Sequence, residues 1–275
     1  MQKYVVLEKK IGQTPLQCAE MWRAKHPQFV DVSLAYAGRL DPMASGKLLI
    51  LIAEECKVQE KYHELDKEYE FSILFGVGSD TGDVLGLLII DKNKNSDGVR
   101  VTKSSLRLAC SQLVGNIELP YPQFSSKTIQ GKPLHIWTLE NRLDEITIPT
   151  KSSRIYSLSL QKIVTKTRQD IYTEVSEKIE TIPLVTEPSK ALRNDFRRTD
   201  VRTDWRQYAE TGNPDDIFTI ATFRCIVSSG TYMRTLAEVI ASKTGTTGLA
   251  YHIHRTKIGR YFSLTKNLGF WKQSF

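Results

Sequence analysis

No stretch of this sequence is apolar for long enough to cross a membrane. The longest runs, LLILIA (Leu48 to Ala53) and the residues around Leu87 to Ile90, fall far short of the roughly 20 apolar residues a spanning helix needs, so no membrane partner is expected. The opening MQKYVVLEKKIGQTP lacks an apolar core followed by a small-residue cleavage site, and a cytoplasmic protein without a signal peptide is the expectation. Cysteine is sparse. Cys18, Cys56, Cys110 and Cys225 show no CxxC or paired spacing, which argues against a zinc site or a disulfide framework and leaves buried free thiols. The five histidines include His252 and His254, placed to share a strand face, but no cysteine or carboxylate lies near them in sequence to complete a metal site. Internal repeats and low-complexity linkers are also lacking.

What is present is an ordinary globular composition. The 275 residues are 40% hydrophobic and 25% charged, with a mean hydropathy of −0.31. The formal net charge of +7 and the pI near 9.1 point to a polyanionic partner, nucleic acid before membrane. VVLEKK reads as a strand, and Thr14-Pro15 as an N-cap and first turn of a helix running through Trp22. LLILIA reads as a buried strand, and EECKVQEKYHEL after it as a polar helix. In KEYEFSILF, Lys67, Tyr69, Phe71, Ile73 and Phe75 alternate with Glu68, Glu70 and Ser72, a strand pattern. A polar turn is predicted over Asp91 to Gly98, and a helix from Thr102 with the stripe Leu106, Ala109, Cys110 and Leu113. Strands are predicted near 150–165 and from Phe218 to Val227. The basic segment KALRNDFRRTDVRTDWRQY places Leu192 and Phe196 opposite Val201, Trp205 and Tyr208, and reads as a bent or surface helical excursion. Its Arg198, Arg202 and Arg206 stack at helical spacing, either as RNA contacts or as a solvated face laced with Asp–Arg pairs. Met233, Leu236, Ala237 and Ile240 form the inward face of a later helix. Strands and helices mix without regular βαβ alternation, so the fold class is α+β with a mixed, mostly antiparallel sheet.

Some motifs fail on inspection. Gly76, Gly78 and Gly82 are spaced GxGxxxG, wrong for a dinucleotide loop. ASGKLLI has Leu48 where a phosphate-binding loop needs a magnesium-holding hydroxyl. Asp80 and Asp83 resemble an acid pair, but Asp-Thr-Gly-Asp is also what a tight turn favours.

A harder question is posed by AYAGRLDPMASG. Asp41 stands there with no histidine or second acid in the same stretch. Far downstream, CIVSSGTYMRTLAEVI puts Arg234 in the first turn of its helix if Ser229 or Thr231 is the cap, where a cation opposes the macrodipole by roughly 0.3–1 kcal/mol. A buried carboxylate is the natural compensation. Taken in order, EKKIGQTP, GRLDPMASG, KEYEF, SDTGDVLG, LPYPQFSSKTIQGKPL, CIVSSGTYMRT and HRTKIGRY resemble the TruB-type pseudouridine synthases, which isomerise a uridine (position 55) in the T-loop of tRNA. The resemblance extends over nearly the whole chain apart from about 140 to 215. LDPxAxG and GTYxR are specific in combination and weak singly.

The resemblance implies a pseudouridine synthase fold, tRNA as partner, and no cofactor or metal. It implies that Asp41 is the essential acid, acting on the ribose as nucleophile at C1′ or base at C2′. It further implies that Arg234 is its charge partner, and that Tyr69 packs on the flipped base and takes part in the final proton removal. Lys67, Arg255 and the arginines 198, 202 and 206 become candidates for phosphate contact, and Tyr36, Arg39, Asp80 and Lys132 join the RNA-facing set through their motifs. Departures are visible too. Lys10 stands where the family has proline, and Tyr36 where it commonly has histidine. The chain is expected to be a single catalytic domain, monomeric, with an arginine-rich insertion at about 180–215 and no C-terminal RNA-binding domain. Ribosomal RNA as substrate, or an inactive RNA-binding or RNA-folding module, are the alternatives.

Overall fold

A computed structural model describes residues 2–89, 101–183 and 197–275. The expected turn at Asp91 to Gly98, and Leu192 and Phe196 of the basic segment, lie outside the described residues. Strand β1 (Tyr4–Lys9) leads into α1 (Pro15–Arg23). The Thr14 hydroxyl accepts from Gln17 N at 3.1 Å and Gln17 Oε1 accepts from Thr14 N at 2.8 Å, a capping box that closes two orphan amides at the helix start. Strands β2 (Leu34–Ala37) and β3 (Ala44–Ile52) follow. The polar segment after β3 is not one helix. It forms a 3-10 stretch over Ala53–Val58 and a single turn α2 (Glu60–His63), neither with a buried residue; without an apolar stripe to dock, a longer helix has nothing to hold it.

Strand β4 (Asp66–Phe75) is followed by the short pair β5 (Gly78–Ser79) and β6 (Leu88–Ile89). Helix α3 (Lys103–Leu113) buries Leu106, Ala109, Cys110 and Leu113, the stripe its spacing predicts. Then come β7 (Gly115–Pro120), β8 (Thr128–Ile129), β9 (Lys132–Pro133), α4 (Leu134–Leu139) and the long β10 (Thr150–Thr167). Helices α5 (Arg168–Glu180) and α6 (Arg198–Thr211) precede β11 (Ile217–Val227), α7 (Met233–Lys243), β12 (Gly248–Thr265) and β13 (Leu268–Ser274).

The main sheet runs β1-β3-β12-β4-β11-β10-β7, with β2 paired to β3 and β13 to β12. Every pairing in it is antiparallel except β12 with β3, which aligns Arg255 with Gly46. This is the mixed, mostly antiparallel α+β architecture. Strand β4 sits in the middle, and all of its residues but Glu70 are buried. Phe71 and Ile73 are buried, and so is Glu68 on the other face of the strand. Alternation alone marks one buried face; a central strand is covered over most of the other as well.

The basic segment is more structural than its composition predicts. Helix α6 is not a surface excursion: Val201, Trp205 and Tyr208 are buried, and Arg198 goes in with them. The same spacing that stacks Arg198 over Arg202 also sets it one turn before Val201 on the inward stripe. Its packing partner is α5, which the sequence reading did not anticipate and which buries Ile171, Val175 and Ile179. Trp205 has 0% exposure and donates from Nε1 to Val84 O at 3.0 Å. Trp205→Ala is therefore expected to cost about 3–5 kcal/mol, read by urea unfolding; a loss below about 1 kcal/mol would mean α6 is not packed as described.

Candidate active site

LDPMASG builds its own turn. Asp41 O accepts from Ala44 N at 3.0 Å, with Pro42 at the second position, where a fixed φ suits a tight turn. Leu40 and Met43 are buried on either side, at 5% and 1% exposure. They pin the turn to the core while the Asp41 side chain, 43% exposed, faces outward into a cleft. The carboxylate is lone in sequence because its partners come from other strands and helices.

Two buried cations hold the loop in place. Arg255, 1% exposed, donates from Nε to Lys47 O at 2.7 Å and from its terminal nitrogens to Arg39 O at 3.4 Å and Gly38 O at 3.3 Å. It thus ties together the two ends of the Asp41 loop. Lys9, 0% exposed, donates from Nζ to Ala44 O at 2.6 Å and Lys10 O at 3.1 Å. Burial lowers the Lys9 ammonium to about 8, and Asp41 pulls the other way. Gly46 completes the arrangement. At φ +106° a side chain is strained, and a Cβ there would lie 2.3 Å from Arg255 O; the parallel β3–β12 contact needs glycine.

Arg234 meets Asp41 from the opposite wall. Its helix α7 starts at Tyr232 without a side-chain cap, so neither Ser229 nor Thr231 plays that part; Thr231 Oγ1 instead donates to Ser228 O. Arg234 Nε lies 2.9 Å from Asp41 Oδ2 and 3.8 Å from Asp83 Oδ2. Its terminal nitrogens donate to Thr81 O at 2.8 Å and Phe124 O at 3.3 Å. Asp83, read from sequence as a turn residue, is that and more. Its Oδ1 accepts from Leu85 N at 2.9 Å and Thr81 Oγ1 at 2.8 Å, while burial pushes its carboxyl above the usual range against the pull of Arg234. Helix α6 bears on this loop through Trp205, so the arginine-rich segment supports the Arg234 site from behind.

Asp41, Tyr69 and Arg234 share one cleft of about 730 Å³. Among its described lining residues Asp41 is the only acid, against Arg39, Lys67, Arg234 and Arg255. Tyr69 projects from β4 at 8% exposure; burial raises its phenol, and the Arg255 guanidinium opposes that. Tyr36 and Arg39 also line the cleft, and Arg39 donates to Ser126 Oγ at 3.2 Å.

The remaining candidates are placed differently from the expectation. Lys67 is 6% exposed, and its Nζ donates to His63 O at 3.0 Å and to Leu65 O; burial lowers it to about 8. Like Arg255, it spends its donors on backbone carbonyls and is poorly placed to meet a phosphate. Asp80 lies in a neighbouring cleft, ion-paired to Arg197, with Phe124 between that cleft and the first. Lys132 pairs with Glu140 at 2.6 Å and lies over the Trp137 ring. Arg202 pairs with Glu180 at 2.7 Å, Arg198 is buried, and Arg206 remains exposed. Lys9 is a site residue that its charge alone does not mark, although it stands three positions before Gly12 in EKKIGQTP.

With this geometry in hand, comparison with known proteins is informative. Residues 29–181 match the TruB family pseudouridylate synthase N-terminal domain. A tRNA pseudouridine synthase B of Caldicellulosiruptor saccharolyticus is 24% identical over 94% of this chain and 68% of its own length. That of Geotalea uraniireducens is 26% identical over 95% of this chain and 64% of its own, and that of Aromatoleum aromaticum is 37% identical over 36% of this chain and 31% of its own. The chain thus spans from about a third to two thirds of these relatives. In fold it is similar to a chain in the crystal structure of a Cbf5-Nop10-Gar1 complex, with a TM-score of 0.53 at 13% identity, covering 94% of this chain and 49% of that one. With the family's domain matched over more than half of its residues, the chain belongs to the TruB family of pseudouridylate synthases.

Proposed function

We propose that this chain isomerises uridine to pseudouridine in RNA, acting on the T-loop uridine of a tRNA. The observation that carries the reading is the Asp41–Arg234 pair at 2.9 Å, with Asp41 the sole acid among the described residues lining a cation-rich cleft. A binder of polyanions gains nothing from a half-exposed carboxylate in such a cleft, since it repels phosphate. A uridine flipped into the cleft meets the Tyr69 ring on one wall. Asp41 acts on the ribose, as nucleophile at C1′ or base at C2′, while the N1–C1′ bond breaks. The uracil turns, C5 bonds to C1′, the C5 proton leaves and N1 gains one, so the product is an isomer and Asp41 is returned unchanged. Tyr36 and Arg39, at the cleft wall, contact the flanking nucleotides. Lys9 and Arg255 act indirectly, by holding the backbone that aims Asp41, and Lys67 by holding the His63–Leu65 backbone at the cleft wall.

The test is pseudouridine mapping on an unmodified tRNA transcript incubated with the protein. Conversion confined to the T-loop uridine is expected. Conversion of a ribosomal RNA fragment instead would replace the substrate assignment, and tight tRNA binding with no conversion of either RNA would replace the enzyme by a binding module.

A further inference from the structure

Beyond Gly259, which aligns with Asp66 at the start of β4, strand β12 runs on and folds back as β13. The hairpin therefore projects from the end of the sheet where Lys67 and the Ser228–Gly230 loop form the cleft wall. One face of it is anchored. Tyr261 N donates to Asp66 Oδ2 at 2.8 Å, Asn267 N to Tyr156 O at 3.1 Å, and Tyr261 packs edge-on against Trp271. The other face is apolar and open: Phe262, Leu264, Leu268 and Phe270 are 42%, 57%, 57% and 49% exposed. Phe262 and Phe270 sit directly across from each other, ring centroids 5.5 Å apart, with Lys272 Nζ 4.4 Å from the Phe262 ring.

The charge carried by the hairpin itself has one sign. After Glu238 the sequence contains no acid, and Arg260, Lys266 and Lys272 all fall on the exposed hairpin. Exposed Arg154 and Lys151 on β10 lie nearer the cleft, Arg154 over the Tyr156 ring that packs on Tyr261 and the Lys151 chain against Gly230. Among the described residues none of these five forms an ion pair. Exposed rings interleaved with unpaired cations suit a polyanion with stackable bases, whereas a protein partner would favour an apolar face free of same-sign charge.

We propose that the β12–β13 hairpin is a second RNA-docking face, which stacks unpaired bases on Phe262 and Phe270 and holds phosphates with Arg260, Lys266 and Lys272. It rests on the RNA-modifying reading of the cleft and adds a contact surface outside it.

The experiment compares the unaltered chain with two variants, Arg260→Gln/Lys266→Gln/Lys272→Gln and Phe262→Ser/Phe270→Ser, on a tRNA transcript. Both are expected to bind about tenfold more weakly and to raise KM while leaving kcat unchanged. The cation variant should also lower the log–log salt slope by roughly 0.9 per lost phosphate contact. Since all five side chains are exposed, thermal melting should be unaltered. Photo-crosslinking of RNA carrying 4-thiouridine to the unaltered chain should yield adducts on residues 260–272. Unchanged affinity and salt slope, or adducts confined to the cleft, would overturn the proposal and leave the catalytic reading standing. So would loss of self-association in the phenylalanine variant with RNA affinity intact. If the unaltered chain binds no RNA, both readings fall together.

Discussion

Asp41→Asn is expected to lower pseudouridine formation on the order of 10⁴-fold while leaving the protein folded and able to bind RNA. The two parts have separate origins. The turn at Asp41 is closed by its backbone carbonyl, Leu40 and Met43 hold it to the core, and Arg234 keeps Asp83 as a second carboxylate, so loss of charge on the half-exposed Asp41 side chain costs the fold little. An amide of nearly the same shape keeps a polar contact to Arg234 but cannot act as nucleophile or base on the ribose. The measurement is single-turnover conversion of a tRNA transcript at saturating protein, with thermal melting and RNA affinity recorded alongside. Conversion within tenfold of the unaltered chain would remove Asp41 from the chemistry. A collapse of the melting temperature would show the side chain to be structural.

Arg234→Met should be the more damaging change to the fold. The guanidinium is 7% exposed and is the cation facing both Asp41 and Asp83. Breaking a buried pair from one side typically costs about 3–5 kcal/mol, here relieved slightly because the first turn of α7 loses an unfavourable cation. The carbonyls of Thr81 and Phe124 also lose a donor.

The deficit should depend on pH, through Asp83 and the buried Glu238. Burial already raises the Asp83 carboxyl above the ordinary range, and Arg234 is the main opposing influence. Without Arg234 the carboxyl rises further. A group whose folded pKa exceeds its unfolded one binds more protons in the folded state, so stability falls as pH climbs through that window. Denaturant unfolding of Arg234→Met should therefore show a smaller loss in mildly acidic buffer than in mildly alkaline buffer. Equal losses at both would mean that the arginine does not hold the charge of Asp83. Adding Asp83→Asn should weaken the pH dependence without abolishing it, because the buried Glu238 carboxyl, raised to about 7 and also pulled down by Arg234, still titrates.

The cleft was partly legible beforehand because some of its logic is local. The turn chemistry of Leu40-Asp41-Pro42-Met43, the alternation that sets Tyr69 with Phe71 and Ile73, and the misplaced charge of Arg234 in a first turn can all be read along the chain. Residues whose task is to hold backbone could not be read that way. Arg255, Lys67 and Lys9 look like phosphate ligands by type. They lie instead at 1%, 6% and 0% exposure with their donors on carbonyls. Helical spacing stacks Arg198 with Arg202 and Arg206, yet it lies on the buried side of α6 with Val201 and Trp205.

Sequence by itself determined the local geometry: which segments cap, turn and alternate, that Gly46 accepts a φ closed to other residues, and that the surplus of positive charge suits a polyanion. Those properties depend on near neighbours and on composition. Tertiary structure alone decided which cations are free to meet that polyanion. A lysine is a phosphate ligand in water and a backbone clamp in a core, because burial makes an unmet ammonium costly and turns it to the nearest carbonyl. The burial of Arg255 depends on β3, brought against β12 from some two hundred positions earlier in the chain, and no reading of HRTKIGRY contains that neighbour.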